Sequence, residues 1–211
     1  MTSLDASPRE SFREGSTPVL ETERLILRAP RLEDASAIVS LIDDRRIAEN
    51  TACIPHPYSL ADADAFLAQA NRAPDQPSFL IALADGTVIG GCGIGISRGP
   101  APELGYWISV PYWGRGYATE AARALIDHVF CDLGCEQLCG RARVSNPTSR
   151  RVLEKCGFQW IGVSLIRIRA LRFSAPVDCF RLDRGLWASL NQPPPVTSPA
   201  SGRGPGRGSV S

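Results

Sequence analysis

The stretch from Glu103 to Phe130 constrains this chain more than any other. A strand-like apolar run, Glu103 to Val110, passes through Tyr112-Trp-Gly-Arg-Gly-Tyr-Ala-Thr-Glu120 into an Ala-rich amphipathic helix that begins at about Gly116. Gly114 and Gly116 allow the backbone to approach a ligand closely and leave N–H groups exposed at the positive end of the helix. A pyrophosphate suits such a turn, and an ordinary tight connection is the alternative. No Gly-Lys-Ser/Thr follows, so the segment is not a P-loop. The strands before it read as a meander rather than βαβ, which excludes a dinucleotide fingerprint.

The surrounding pattern is mixed α and β. Leu25 and Leu27 alternate with Arg24, Ile26 and Arg28 as a strand does, and Pro30 ends it. Ala35, Ile38, Val39, Leu41 and Ile42 predict a helix over 33–48, and Ser59-Leu-Ala-Asp62 opens a second with an N-cap serine. The loop Pro55-His56-Pro57-Tyr58 lies between them, and its Pro-His-Pro setting gives His56 a structural or surface role before a catalytic one. Phe79 to Ala84 and Val88 to Ile96 flank Asp85-Gly86, a hairpin turn signal. Beyond the long helix come a strand (Gln137 to Val144), a short helix (Thr148 to Cys156) and two last strands (Phe158 to Arg169, Pro176 to Leu182).

With 211 residues and 44% apolar content, the chain can close one sizeable core, assigned to residues 19–190. Residues 1–18 read as a flexible polar leader without the apolar core of a signal peptide. Residues 191–211 read as a disordered Pro/Gly/Ser-rich tail that folding does not need. A formal charge of +1 carries no general field, and no apolar run approaches spanning length, so neither nucleic acid nor membrane is expected as a partner. The seven cysteines are odd in number and lack C-x-x-C pairs, which fits a reducing cytoplasm. Cys131, Cys135 and Cys139 recur every four residues, but Gly134 interrupts any helix through them and no metal site is expected.

Three segments in order, Glu103-Leu-Gly-Tyr-Trp-Ile108, Trp113-Gly-Arg-Gly-Tyr-Ala-Thr-Glu120, and Asn146-Pro-Thr-Ser149 through Leu153-Glu-Lys-Cys-Gly-Phe158, resemble the GNAT superfamily of N-acetyltransferases. The likeness runs from about Thr22 to Leu190 and is strongest to the branch of ribosomal-protein alanine and serine N-acetyltransferases. It implies an α/β (α+β) fold: a mixed, mostly antiparallel, strongly twisted sheet with helices on both faces, opened in a V that takes acetyl-CoA as co-substrate. It also implies that the N–H groups of Arg115, Gly116, Tyr117, Ala118 and Thr119 hold the pyrophosphate. Trp113 stands where the family has Arg or Gln, as a core anchor or a cofactor contact. The strand edge from Trp107 through Ile108, Ser109 and Val110 would pair with the pantetheine arm, freed by a β-bulge that aims an N–H at the thioester oxygen. Asn146 would lie near the arm or support the next strand's splay.

Acetyl transfer needs a neutral amine, a polarised carbonyl and relief for the departing thiolate. By resemblance Glu103 is the general base. The family's tyrosine acid is replaced by Leu153, and Ser149 resembles the serine that the closer branch offers instead; as an alternative, its hydroxyl merely meets the backbone at a helix start. Tyr106, Tyr58 and Trp160 line the acceptor pocket or fill the core. The acceptor is read as a protein N-terminal α-amine, which deprotonates more readily than a lysine. A small-molecule amine (antibiotic, polyamine or amino acid) and a module that binds acetyl-CoA without turnover are the alternatives. A monomer or homodimer is expected.

Overall fold

Alternation at Leu25 and Leu27 becomes a strand whose two leucines are buried, in a computed structural model that describes residues 17–70, 76–95 and 101–191. That strand, β2 (Leu25–Arg28), follows the short β1 (Leu20–Glu21). Most of the expected leader, the tail from residue 192, and Ile96 lie outside the described residues.

The single helix expected over 33–48 is divided. A 3-10 turn (Leu32–Asp34) leads into α1 (Ala35–Ile42), and α2 (Arg45–Ala48) starts afresh. Two adjacent aspartates cause the break, because their short side chains bind backbone in competition with the helix. Asp44 accepts the Arg46 N–H at 2.8 Å as the cap of α2. Asp43 accepts the Tyr58 N–H at 2.8 Å and meets His56 Nδ1 at 3.0 Å, which ties the Pro-His-Pro loop to the end of α1. After that loop, α3 (Leu60–Ala70) opens with the expected serine: Ser59 Oγ accepts the Asp62 N–H at 3.2 Å while Asp62 accepts the Ser59 N–H at 3.1 Å.

The entry to α1 is locked by an ion pair. Arg28 donates twice to Asp34, at 2.8 Å each, and the Arg31 N–H adds a third bond at 2.7 Å. The Arg28 guanidinium holds the Asp34 carboxyl below its usual 3.8, with the Arg31 N–H assisting. A depressed folded-state value contributes stability that is complete above the unfolded value and lost as pH falls through the folded one. Asp34→Asn should therefore cost about 2 kcal/mol at neutral pH. In denaturant titrations the gap from the parent should shrink as pH drops below 3.8; a gap independent of pH would exclude this account.

The hairpin forms as expected from β3 (Ser78–Leu83) and β4 (Val88–Gly95), turning at Gly86 with φ of 87°. Then come β5 (Glu103–Ile108), α4 (Tyr117–Cys131), β6 (Gln137–Arg143), α5 (Pro147–Lys155), β7 (Gln159–Ile168) and β8 (Phe173–Asp183). A last helix, α6 (Arg184–Asn191), had no expected counterpart. It packs Trp187 on Phe130, with ring centroids 5.2 Å apart, and its indole N–H reaches Asp127 at 2.8 Å.

Among the described residues, eight strands form one sheet in the order β1-β2-β3-β4-β5-β6-β8-β7. Residues of α4, α5 and α6 pack on one face, with Leu104, Ile108, Leu138 and Phe180, and those of α1 and α3 cover the other, with Leu80 and Trp107. Every pairing among the described residues is antiparallel except β5 with β6. Those two strands meet only at Glu103↔Cys139 and Leu104↔Gly140, although β5 pairs with β4 along its whole length and β6 likewise with β8. The sheet therefore divides into two halves that diverge beyond Leu104.

Candidate active site

Which main-chain groups face the opening follows from the alternation of N–H and C=O directions along a strand. The Ser109 N–H reaches back to the Ile89 carbonyl on the β4 side at 2.8 Å, and the Pro102 carbonyl accepts from Cys139 on the β6 side at 2.8 Å. Odd residues of β5 thus serve β4 and even ones face β6. Past the divergence, the N–H and C=O of Tyr106 and the N–H of Ile108 point into the opening. The Ile108 carbonyl accepts the Trp113 indole N–H at 2.6 Å. Trp113 is 45% exposed, so it clips this strand end rather than anchoring the core. No bulge frees the edge: the β4–β5 register is continuous from Gly95↔Glu103 to Gly90↔Ile108, and the departure of β6 exposes it instead. Ser109 is buried with its N–H spent on Ile89, and Val110 opens a 3-10 turn (Val110–Tyr112), which places the open edge somewhat earlier than residues 107–110.

The start of α4 lies just beyond that edge. Gly114 and Gly116 both hold left-handed backbone, at φ of 76° and 84°, and Gly116 is the N-cap. Thr119 and Glu120 are the first residues whose N–H groups find a helical acceptor, sharing the Gly116 carbonyl at 3.1 Å each. The N–H groups of Arg115 to Ala118 precede them at the positive helix end, while that of Thr119 is already engaged. Arg24, just before β2, braces the turn. Its Nε donates to Glu120 at 2.7 Å, its Nη1 to the Arg115 carbonyl at 3.1 Å, and its guanidinium lies 4.8 Å from the Tyr117 ring centroid. Thr22 adds a hydroxyl bond to Glu120 at 2.6 Å. A groove of about 1070 Å³ lies between residues 19–24 and α4, where Gly116, Thr119, Arg123 and Asp132 line it, away from the open edge of β5.

Glu103 and Ser149, expected as catalytic groups, lie on different sides of the sheet with partners that the sequence did not reveal. Arg141, on β6 opposite the start of β5, binds Glu103 through two bonds, Nε to Oε1 at 2.9 Å and Nη2 to Oε2. Both side chains are about one-fifth exposed, on the face that α1 and α3 cover. On the other face, Ser149 Oγ meets the Tyr106 hydroxyl at 2.9 Å. Asn146 caps α5, its Oδ1 accepting the Ser149 N–H at 3.1 Å. Leu153 is buried against β6, so close that a Cβ on Gly140 would lie 2.8 Å from its Cδ2. Cys131, Cys135 and Cys139 fall on the end of α4, a turn and β6, and the described residues hold no group of three or more metal-ligating side chains.

A strand edge opened beside the N-terminus of a glycine-capped helix can take an extended chain with a phosphorylated end. The chain matches the Acetyltransferase (GNAT) domain over residues 24–159 and belongs to that family. It is 30% identical over 154 residues to the uncharacterized N-acetyltransferase YoaA of Bacillus subtilis (strain 168), a match spanning 69% of this chain and 85% of that one. Its fold is similar to spermidine N-acetyltransferase from Vibrio cholerae in complex with CoA and spermine, with a TM-score of 0.67 and 21% identity, covering 79% of this chain and 99% of that one. It is equally similar to ribosomal-protein-S5-alanine acetyltransferase from Vibrio fischeri, with a TM-score of 0.68 and 20% identity, covering 81% and 99%. The protein is thus an N-acetyltransferase, with acetyl-CoA as co-substrate and an amine as acceptor.

Proposed function

We propose that this enzyme acetylates the α-amine of a protein N-terminus, with acetyl-CoA lying along the open edge of β5 and its pyrophosphate on the start of α4. The divergence of β5 from β6 carries the reading, because it leaves Tyr106 and Ile108 main-chain groups facing a gap that ends at left-handed Gly116. Acetyl-CoA supplies an acyl group activated as a thioester. Tyr106 and Ile108 hold the arm by main-chain bonds, with Ser109 and Val110 shaping the bend where the edge ends. The N–H groups of Arg115, Gly116, Tyr117 and Ala118 hold the phosphates, and Thr119 forms the groove wall beyond them. Asn146 fixes the turn of α5 beside the arm. The catalytic domain covers residues 19–190.

Glu103 takes the amine's proton by way of a water. Arg141 occupies one lone pair on each carboxylate oxygen, and the others remain for that water. Such a base suits an acceptor that is largely neutral near pH 7, and an α-amine, with a model value of about 7.7–8.0, meets this better than a lysine at about 10.4. A small-molecule amine is the second reading, favoured by the likeness to the spermidine enzyme. A polyamine fits poorly, because β6 brings Arg143 to the α1–α3 face of the opening, where it reaches the Glu49 carbonyl at 2.9 Å, while Glu103 balances the charge of Arg141. The enzyme works in the cytoplasm as a monomer or homodimer. Free thiols at all seven cysteines agree with a reducing compartment, and no described helix is long and apolar enough to cross a membrane.

A screen of N-terminal peptides, lysine peptides, amino acids and polyamines for acceptor-dependent CoA release tests this. Peptides with small N-terminal residues should lead. A clear preference for free small amines would establish the second reading, and no turnover with any acceptor would leave a binding module.

A further inference from the structure

Tyr106 has a task that its main-chain position on the open edge does not explain. Its side chain crosses to the face packed by α4 and α5, where the hydroxyl lies 2.9 Å from Ser149 Oγ and 3.1 Å from the Ser149 carbonyl. A phenol has one proton for two acceptors, so the three groups have two arrangements. When Tyr106 donates to the carbonyl, the serine's proton is turned back onto the phenol oxygen. When Tyr106 donates to Oγ, the serine's proton is turned away from the phenol and is free for another acceptor. The turn that carries Ser149 is held at its N–H by Asn146, and Tyr106 holds its carbonyl only in the first arrangement. No hydroxyl comes from the next turn of α5, where Leu153 is 1% exposed.

Resting on the acetyl-CoA reading above, we propose that Tyr106 is a positioning residue that orients the Ser149 hydroxyl toward the sulfur of the departing coenzyme A. Burial pushes the Tyr106 phenol well above its usual range, so it keeps its proton and acts as a donor rather than a relay. As the amine nitrogen bonds to the acyl carbon, the C–S bond breaks with its electron pair on sulfur. Ser149 then donates a hydrogen bond to that sulfur, and Tyr106 donates to Ser149 Oγ. The proton lost by the amine leaves through Glu103 and water, and balances the thiolate's charge.

Bound CoA gives a readout that needs no turnover, because its thiolate can be titrated by ultraviolet absorbance. A donor aimed at sulfur lowers the thiol's pKa below its value in free CoA. Tyr106→Phe should raise the bound value by roughly half a unit or more, as should Ser149→Ala, and the double variant should add little, since both act on one hydrogen bond. Turnover should fall about tenfold in kcat in Tyr106→Phe with KM for acetyl-CoA nearly unchanged. Ser149→Thr, which keeps a hydroxyl, should retain most of the lowered pKa. If CoA binds and its thiol titrates alike in the parent and in Tyr106→Phe, or if the two substitutions add in full, the orienting role is wrong and the acetyl-CoA site stands. If CoA does not bind the parent at all, both fall together.

Discussion

Gly116→Val should abolish acetyl-CoA binding while leaving the fold intact. Gly116 holds φ of 84° as the cap of α4. A left-handed conformation costs an ordinary L residue about 1–2 kcal/mol, and a β-branched one more. A Cβ there would only touch Nη2 of Arg24, at 3.4 Å, so the strain lies in the backbone angle. The turn can relieve this only by changing its backbone angles, which re-aims the N–H groups of Arg115 to Ala118 together. In the proposed site those groups and the helix end supply the phosphate contacts, so Kd should rise by 10² or more, an order set by the loss of several charge-assisted hydrogen bonds. The parent should gain about 2.7 kcal/mol of stability with acetyl-CoA at 100 times Kd. The valine variant should show no such gain in calorimetry or thermal melts. A folded variant with the parent's affinity would place the pyrophosphate elsewhere.

Glu103→Gln should lower kcat/KM by roughly 10² near neutral pH, the usual worth of general-base help, with little change in acetyl-CoA affinity. The ion pair adds a requirement to that measurement. Glutamine keeps the shape but leaves Arg141, 22% exposed, without its carboxylate, so a modest loss of stability should accompany the kinetic one. Arg141→Gln separates the two effects: it breaks the same pair yet keeps the carboxylate. It should cost stability and misplace Glu103, lowering turnover less than Glu103→Gln does. Full activity of Glu103→Gln with an unchanged pH profile would remove Glu103 from the chemistry and leave positioning to carry it.

Each of these experiments tests a contact at a different depth of legibility. The hairpin at Asp85-Gly86, the Ser59 cap and the Gly116 turn were readable because each is settled within a few residues, by allowed backbone angles and by side chains that reach their own neighbours. The break between α1 and α2 was missed although it too is local. Helical spacing of the apolar residues continued through it, and only the bonds from Asp43 across to Tyr58 and His56 show why the chain turns there. The helix α6 was missed for a related reason: it is short, and packing of Trp187 on Phe130 holds it in place. The expected bulge on the open edge rested on resemblance, and here the parting of two strands does the same work.

By itself the sequence determined the mixed strand and helix order and the glycine turn entering α4, because backbone stereochemistry and hydrophobic period act over short stretches of chain. Only the tertiary structure decided which side chains complete the site. Arg141 meets Glu103 across a separation of 38 residues, Ser149 meets Tyr106 across 43, and Glu120 meets Arg24 across 96. No local rule specifies such pairs. They follow from the order in which strands join the sheet and from the point at which β5 and β6 part, and both are settled by burying the apolar faces of the whole sheet at once.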